Sequence, residues 1–251
     1  MSRARGARSR SASLIIWHRR LGLSAALFVL VLATTGLALN HTAELGLDRR
    51  YLEAEWLLNW YGIQAPAEAS VFVAGSLLVT QLGDRVYLGT RAVEEGVGTV
   101  GGAVEIDDLV VTAVDGDLLL LTASGERVER LGRKDDVPAG LTGIGTDSEG
   151  GLLLRTDAGL YRADEELLTW LAVDAVDVNV VWSTPATADA ATLAELRADY
   201  RGRILSLERV LLDLHSGRIL GRFGPLLMDL AAILLTLLAV TGVWVWSSRR
   251  P

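Results

Sequence analysis

The sequence predicts a membrane protein built as two antiparallel transmembrane α-helices flanking a β-rich periplasmic domain of hairpin repeats. Three observations predict it. A long apolar run lies near each end of the chain, every acidic residue falls between Glu44 and Asp229, and the segment between the runs alternates short apolar stretches with glycine and aspartate.

The elements follow in order. Residues 1–13 are rich in arginine and serine, a composition that predicts a disordered basic arm drawn to anionic headgroups. Residues 14–41 form the first transmembrane helix. Its segment Leu21–Leu39 contains no charge, and a stretch of that length rises about 28 Å, close to the ~30 Å hydrocarbon core. Residues 42–66 read as an interfacial, amphipathic helix, because Tyr51, Leu52, Trp56 and Trp60 recur near helical spacing with charges between them. Tryptophan and tyrosine favour the membrane–water boundary; a packing helix of the next domain satisfies the same pattern.

Residues 67–186 form the β-rich domain. Leu77–Gly89, Leu109–Thr122 and Leu152–Arg162 each read as strand, Gly/Asp turn, strand. That hairpin signature, repeated, predicts stacked units in a twisted sheet or sandwich. Residues 187–222 form a helical return segment that contains Leu214-His215-Ser216-Gly217-Arg218. Residues 223–246 form the second transmembrane helix, with Pro225 suited to a first helical turn, and residues 247–251 form a cytoplasmic tail.

Charge sets the orientation. Six arginines (Arg3, Arg5, Arg8, Arg10, Arg19, Arg20) precede the first span and Arg249 and Arg250 follow the second, which leaves 16 basic against 31 acidic residues between them, a net of −15. Short basic flanks stay cytoplasmic, so both termini are expected inside and residues 42–222 in the periplasm of a bacterial inner membrane. A cleaved signal peptide is the rival for the first span. Its apolar run is longer than the usual ~7–15-residue core of such a peptide, which favours a retained helix.

Composition excludes several classes. With no cysteine there are no disulfides, Cys-ligated zinc, iron–sulfur clusters or covalent c-type haem. The acidity argues against a nucleic-acid partner. Gly101-Gly102 and Gly150-Gly151 sit in hairpin context, and the single lysine is Lys134, so neither a dinucleotide fingerprint nor a phosphate-binding loop is present.

The three histidines all lie close to the spans: His18 before the first, His41 just after it, and His215 ten residues before Pro225. His18 and His41 are separated by roughly 35 Å of helix and cannot share a cofactor within one chain. His41 and His215 emerge on the same side and are expected to meet. Haem b takes two axial ligands from neighbouring helices, His/His or His/Met. His41 with His215 supplies such a pair, Met228 is the other soft ligand, and His18 completes an inner site only with its counterpart from a second copy. The plainer reading makes His18 a headgroup-facing residue and leaves His41 and His215 interfacial or structural. Asp229 is an intramembrane carboxylate, costly unless paired or facing a bundle interior, with Arg218 and Arg222 as candidate partners.

Trp17–His41 (WHRRLGLSAALFVLVLATTGLALNH) and Leu211–Trp246 (LLDLHSGRILGRFGPLLMDLAAILLTLLAVTGVWVW) resemble the PepSY-associated transmembrane proteins of bacterial inner membranes. The resemblance rests on the H-R-x-L-G-L run at His18–Leu23, the Thr-Gly pairs Thr35-Gly36 and Thr241-Gly242, and the L-H-x-G-R-x-L-G run at Leu214–Gly221. It covers about a quarter of the chain. Larger, four-helix relatives include haem-b-containing reductases of ferric siderophores, so the resemblance implies haem b held by His18, His41 and His215. This chain departs from them in having two spans, so a full bundle needs a second copy or a larger membrane complex, and in its middle domain of hairpin repeats.

Two functions compete. One is haem-b-mediated electron transfer toward a periplasmic acceptor such as a ferric chelate, fed by quinol or a partner subunit. The other is a non-catalytic accessory or regulatory subunit that binds a partner through its β domain; a scaffold for cell-envelope assembly is a third.

Overall fold

The computed structural model describes residues 3–174 and 178–247. In chain order α1 (Arg3–Asn40) and α2 (Thr42–Leu45) lead to α3 (Glu55–Trp60), then to strands between Ala69 and Ala186, and finally to α4 (Ala190–Gly202), α5 (Leu207–His215) and α6 (Gly224–Ser247). The chain divides into a helical unit, Met1–Ala54 with Arg203–Pro251, and a β unit, Glu55–Gly202.

In the helical unit the C-terminal helix is, among the described residues, the one helix long and apolar enough to cross a membrane. The 24 residues of α6 rise about 36 Å, more than the hydrocarbon core requires. The apolar run of α1 is bent by 41° between Ile16–Leu23 and Ala25–Asn40, and it reaches spanning length only when both arms are taken together. The helix also begins at Arg3, where the sequence predicted a disordered arm to residue 13. Residues 3–13 lack proline and, apart from Gly6, are Ala, Arg and Ser, which extend a helix at little cost once an apolar span has nucleated it. Residues 248–251, most of the expected cytoplasmic tail, lie outside the described residues.

The buried positions of the long helices are small. Ala25 and Thr35 of α1 and Gly224 and Ala231 of α6 are buried, and small side chains let helix backbones approach closely in a bilayer. Leu23, Leu27 and Leu30 of α1 and Leu226, Leu230 and Ile233 of α6 are all more than half exposed.

Residues 42–66 do not form the single amphipathic helix the spacing predicted. Gly46 (φ 61°) closes α2 in the left-handed conformation. The chain then pairs with the returning segment: Leu52 N donates to Leu205 O (2.9 Å) and Leu207 N to Arg50 O (2.7 Å). Those bonds satisfy backbone groups a helix would have used, and only Glu55–Trp60 is helical again, with Leu57 and Leu58 buried and Trp56 and Trp60 exposed.

The β unit contains three antiparallel four-strand meanders, a larger repeat than the hairpin the sequence suggested. The first is β1 (Ala69–Ala74), β2 (Leu77–Leu82), β3 (Arg85–Leu88) and β4 (Arg91–Glu95); the second is β5 (Val100–Ile106), β6 (Leu109–Val114), β7 (Asp117–Thr122) and β8 (Arg127–Leu131); the third is β9 (Leu141–Asp147), β10 (Leu152–Thr156), β11 (Gly159–Ala163) and β12 (Trp170–Val173). Two short strands close the set: β13 (Val180–Trp182) pairs with β9, and β14 (Pro185–Ala186) with β1. Asp115 (φ 54°) and Gly116 (φ 86°) make the β6–β7 turn, an Asp-Gly pair that tolerates positive φ at both central positions.

The run Leu118–Leu121 shows why the middle meander is so apolar. Leu119 and Leu121 join Phe72, Val79 and Val86 of the first sheet, whereas Leu118 and Leu120 join Ile144, Leu152 and Leu154 of the third. Alternate residues face opposite sides of a strand, so a sheet buried on both faces reads as a continuous apolar run. A smaller core places Leu196 of α4 on Leu82 and Tyr87. Burial pushes the Tyr87 hydroxyl up to about 12, and that hydroxyl donates to Asp199 (3.2 Å).

Candidate functional site

The histidines are positioned by the helical unit, and two of them are seated reciprocally. His215, at the C-terminal end of α5, places Nδ1 2.8 Å from the Thr35 hydroxyl of α1. His18, in the first arm of α1, places Nδ1 3.0 Å from the Thr241 hydroxyl of α6. The adjacent glycine lies against the ring in both cases. A methyl group built at Gly36 would lie 3.4 Å from His215 Cε1, and one at Gly242 would lie 3.5 Å from His18 Cε1, so a longer side chain would displace the ring. Each half of the unit thus offers one imidazole and one Thr-Gly seat for the imidazole of the other half.

The seats stand at opposite ends of the helix pair, since seventeen residues of α1 from His18 to Thr35 rise about 26 Å. The His18 end opens on a cavity of ≈ 230 Å³ with walls from Trp17, Leu21, Leu234, Leu238 and Trp244. At the other end a tight turn sets His215. Gly217 (φ 78°) lies against the Gly224 carbonyl, and a side chain there would meet Met228, which lets α5 fold back onto the start of α6.

Several expected site residues are placed differently. His41 does not share a partner with His215: its Nδ1 engages Glu44 of α2 (3.0 Å) at an exposed position just beyond α1, about 9 Å in helical rise from Thr35. The one-turn spacing to Glu44 supplies a carboxylate locally. Met228 packs toward the Gly217 turn. Asp229 is exposed on α6 with no hydrogen bond or ion pair among the described residues, and Arg222, a predicted partner, instead stacks over the Phe223 ring at 4.6 Å.

The sequence reading missed two kinds of residue. Thr35 and Thr241 stood out only as parts of a motif, although a hydroxyl one residue before a small glycine is the signal that a ring can dock there. Asp213 is 3 % exposed and paired with Arg209 (2.9 Å), a pair foreshadowed by its i,i+4 spacing; its Oδ1 has no partner among the described residues.

The β unit holds no histidine. Its notable concavity, ≈ 380 Å³, lies where β1, β5 and β9 converge beneath the β13–β14 strap, with Glu105, Thr146, Trp182 and Ser183 on its walls. Ser183 Oγ accepts from Ala103 N (2.9 Å) and pins the strap. Among the described residues no group of three or more His, Cys, Asp or Glu is suited to a bare metal ion.

A C-terminal helix long and apolar enough to cross a membrane, beside a second helix that also turns its leucines outward, is the architecture of a membrane protein. Residues 1–249 match the PepSY-associated TM region, and the chain belongs to that family. Comparison with curated proteins and with solved structures found no match.

Proposed function

We propose that the chain is a two-span protein of a bacterial inner membrane that binds haem b and passes electrons toward a periplasmic acceptor such as a ferric chelate. The reciprocal seating of His18 and His215 carries this reading. Both rings use Nδ1 to reach an oxygen, the arrangement that orients metal-bound imidazoles, and both lie at helix–helix contacts with small residues beside them. The donor set therefore fits haem iron. Bound there, haem would supply one-electron redox chemistry.

At the outer end His215 would bind iron, and His41 would become its companion ligand only by leaving Glu44. At the inner end His18 stands alone and would pair with His18 of a second copy, so a dimer would assemble four spans. Asp229, exposed on α6, suits the same assembly, because an intramembrane carboxylate turned away from its own chain favours a polar or protein neighbour over lipid. Both arms of α1 together would make the first span. The basic flanks favour cytoplasmic termini and residues 42–222 in the periplasm: Arg3, Arg5, Arg8, Arg10, Arg19, Arg20, Arg249 and Arg250 lie at those ends with no acidic residue among them.

The test is a reduced-minus-oxidised visible spectrum of detergent-solubilised protein made with ample haem. A Soret shift and an α-band are expected. His215→Ala and His41→Ala should remove the outer component and His18→Ala should spare it. A spectrum without either band sinks the haem reading and leaves the accessory-subunit reading, which the ≈ 380 Å³ concavity of the β unit favours.

A further inference from the structure

The hydroxyls that seat the two histidines have a chemical consequence. A threonine hydroxyl carries one proton and can donate one hydrogen bond. Thr35 Oγ1 lies 2.6 Å from the Val31 carbonyl oxygen, and Thr241 Oγ1 lies 2.7 Å from the Leu237 carbonyl oxygen. A carbonyl can only accept, so each hydroxyl spends its proton on its own helix, four residues back. A hydroxyl bonded in that way can only accept toward the imidazole. The proton of the 2.8 Å contact at His215 and of the 3.0 Å contact at His18 then belongs to Nδ1 in both rings. A neutral imidazole protonated on Nδ1 has its lone pair on Nε2.

We propose that Thr35 and Thr241 are positioning residues that hold His215 and His18 as Nδ1–H tautomers and so present Nε2 to iron; the part concerning iron rests on the haem reading. The two act through the ring, not on the cofactor. They are placed by a rule that recurs at both ends of the helix pair: a threonine bonded back to its own helix, a glycine beside it, and the imidazole of the opposite half against both. Neither seat involves a carboxylate, so the ring is oriented without adding charge inside the helix pair. His41, held by Glu44, is oriented by a charged group at an exposed position instead.

The experiment is ¹⁵N NMR of the histidine side chains in the full chain, haem-free and reconstituted in lipid nanodiscs, with His41→Gln used to assign the remaining signals. Wild type should show Nδ1 protonated and Nε2 bare in both His18 and His215. Thr35→Val should release His215 alone and Thr241→Val His18 alone, each toward the Nε2–H tautomer that a free side chain prefers in water. Thr→Ser at either position should restore the wild-type pattern. On haem loading, each valine variant should weaken binding at its own end about 10–100-fold, the usual cost of losing such a partner, and the serine variant should not. An Nε2–H tautomer in wild type, or an Nδ1–H tautomer that persists in the valine variants, overturns the assignment. If the tautomers shift as expected but wild type takes up no haem, the haem reading fails and the tautomer assignment stands.

Discussion

The two units deal with apolar surface in opposite ways. The β unit closes a core of its own, and Leu118–Leu121 in its middle sheet are all at or below 5 % exposure. The helical unit turns leucines outward, with Leu23 at 80 % and Leu230 at 62 %, and leaves their burial to the surrounding lipid. Charge divides in the same way, basic in the helical unit and acidic in the β unit, and every histidine lies in the helical unit. The half that excludes water by itself holds no imidazole. The half that depends on the bilayer holds all three, two of them seated against neutral oxygens.

The largest effect should come from opening the self-made core. Leu119 is fully buried between the first and second sheets, and truncation of such a leucine costs about 2–5 kcal/mol. Leu119→Ala should lower the denaturation midpoint of the β unit in detergent, and the ¹⁵N signals of His18 and His215 should not change. A parallel change in those signals would break the division into two independent halves.

Next comes a substitution whose cost depends only on which half it strikes. Leu230 and Val128 have similar exposure, 62 % and 53 %. Leu230→Arg places a cation on the lipid-facing side of α6, where the cost rises to about 2.5–3.5 kcal/mol at the helix centre. Val128→Arg lies on a water-facing strand and should change stability by no more than about 0.5 kcal/mol. Membrane-inserted yield and thermal midpoint separate the two; equal behaviour would mean that α6 is not lipid-exposed.

The same contrast governs what could be read from the sequence. Apolar runs of spanning length and turn residues between short runs are local signals, and they located the helices and the β segment. The size of the β repeat was not local. The similarity of Leu77–Gly89 and Leu109–Thr122 marked only the central hairpin of each meander, because edge strands such as β4 and β8 carry charges and lack the apolar signature. In the third meander Thr156 sits directly before the turn, opposite Gly159, where the first two meanders have Leu82 and Val114, so the three repeats do not share a turn sequence. In the site, each histidine was recognisable as a candidate, but pairing His215 with His41 followed chain topology. The actual partner, Thr35, lies 180 residues away in sequence and depends on how α5 folds back against α1.

A smaller effect tests the β unit through pH. Burial holds the Tyr87 hydroxyl at about 12 rather than 10, so the folded state keeps this proton when the unfolded chain has lost it. Stability is therefore unaffected below about pH 10 and falls between pH 10 and 12, by roughly 2–3 kcal/mol in all. Tyr87→Phe should flatten that limb of the profile. A decline of the same size in the variant would assign the alkaline loss elsewhere.

The smallest effect separates stability from ring orientation inside the helical unit. Ser206 caps α5, its hydroxyl accepting from Arg209 N at 3.2 Å, and loss of such a cap costs about 1 kcal/mol. The cap sits at the opposite end of α5 from His215, whose ring is held from outside the helix by Thr35. Ser206→Ala should therefore lower the thermal midpoint of the helical unit slightly and leave the His215 tautomer unchanged. Thr35→Val should do the reverse, with little loss of stability and a changed tautomer. If Ser206→Ala also alters the His215 ¹⁵N signals, the ring is held by the rigidity of α5 as a whole, and the seat on α1 is not what orients it.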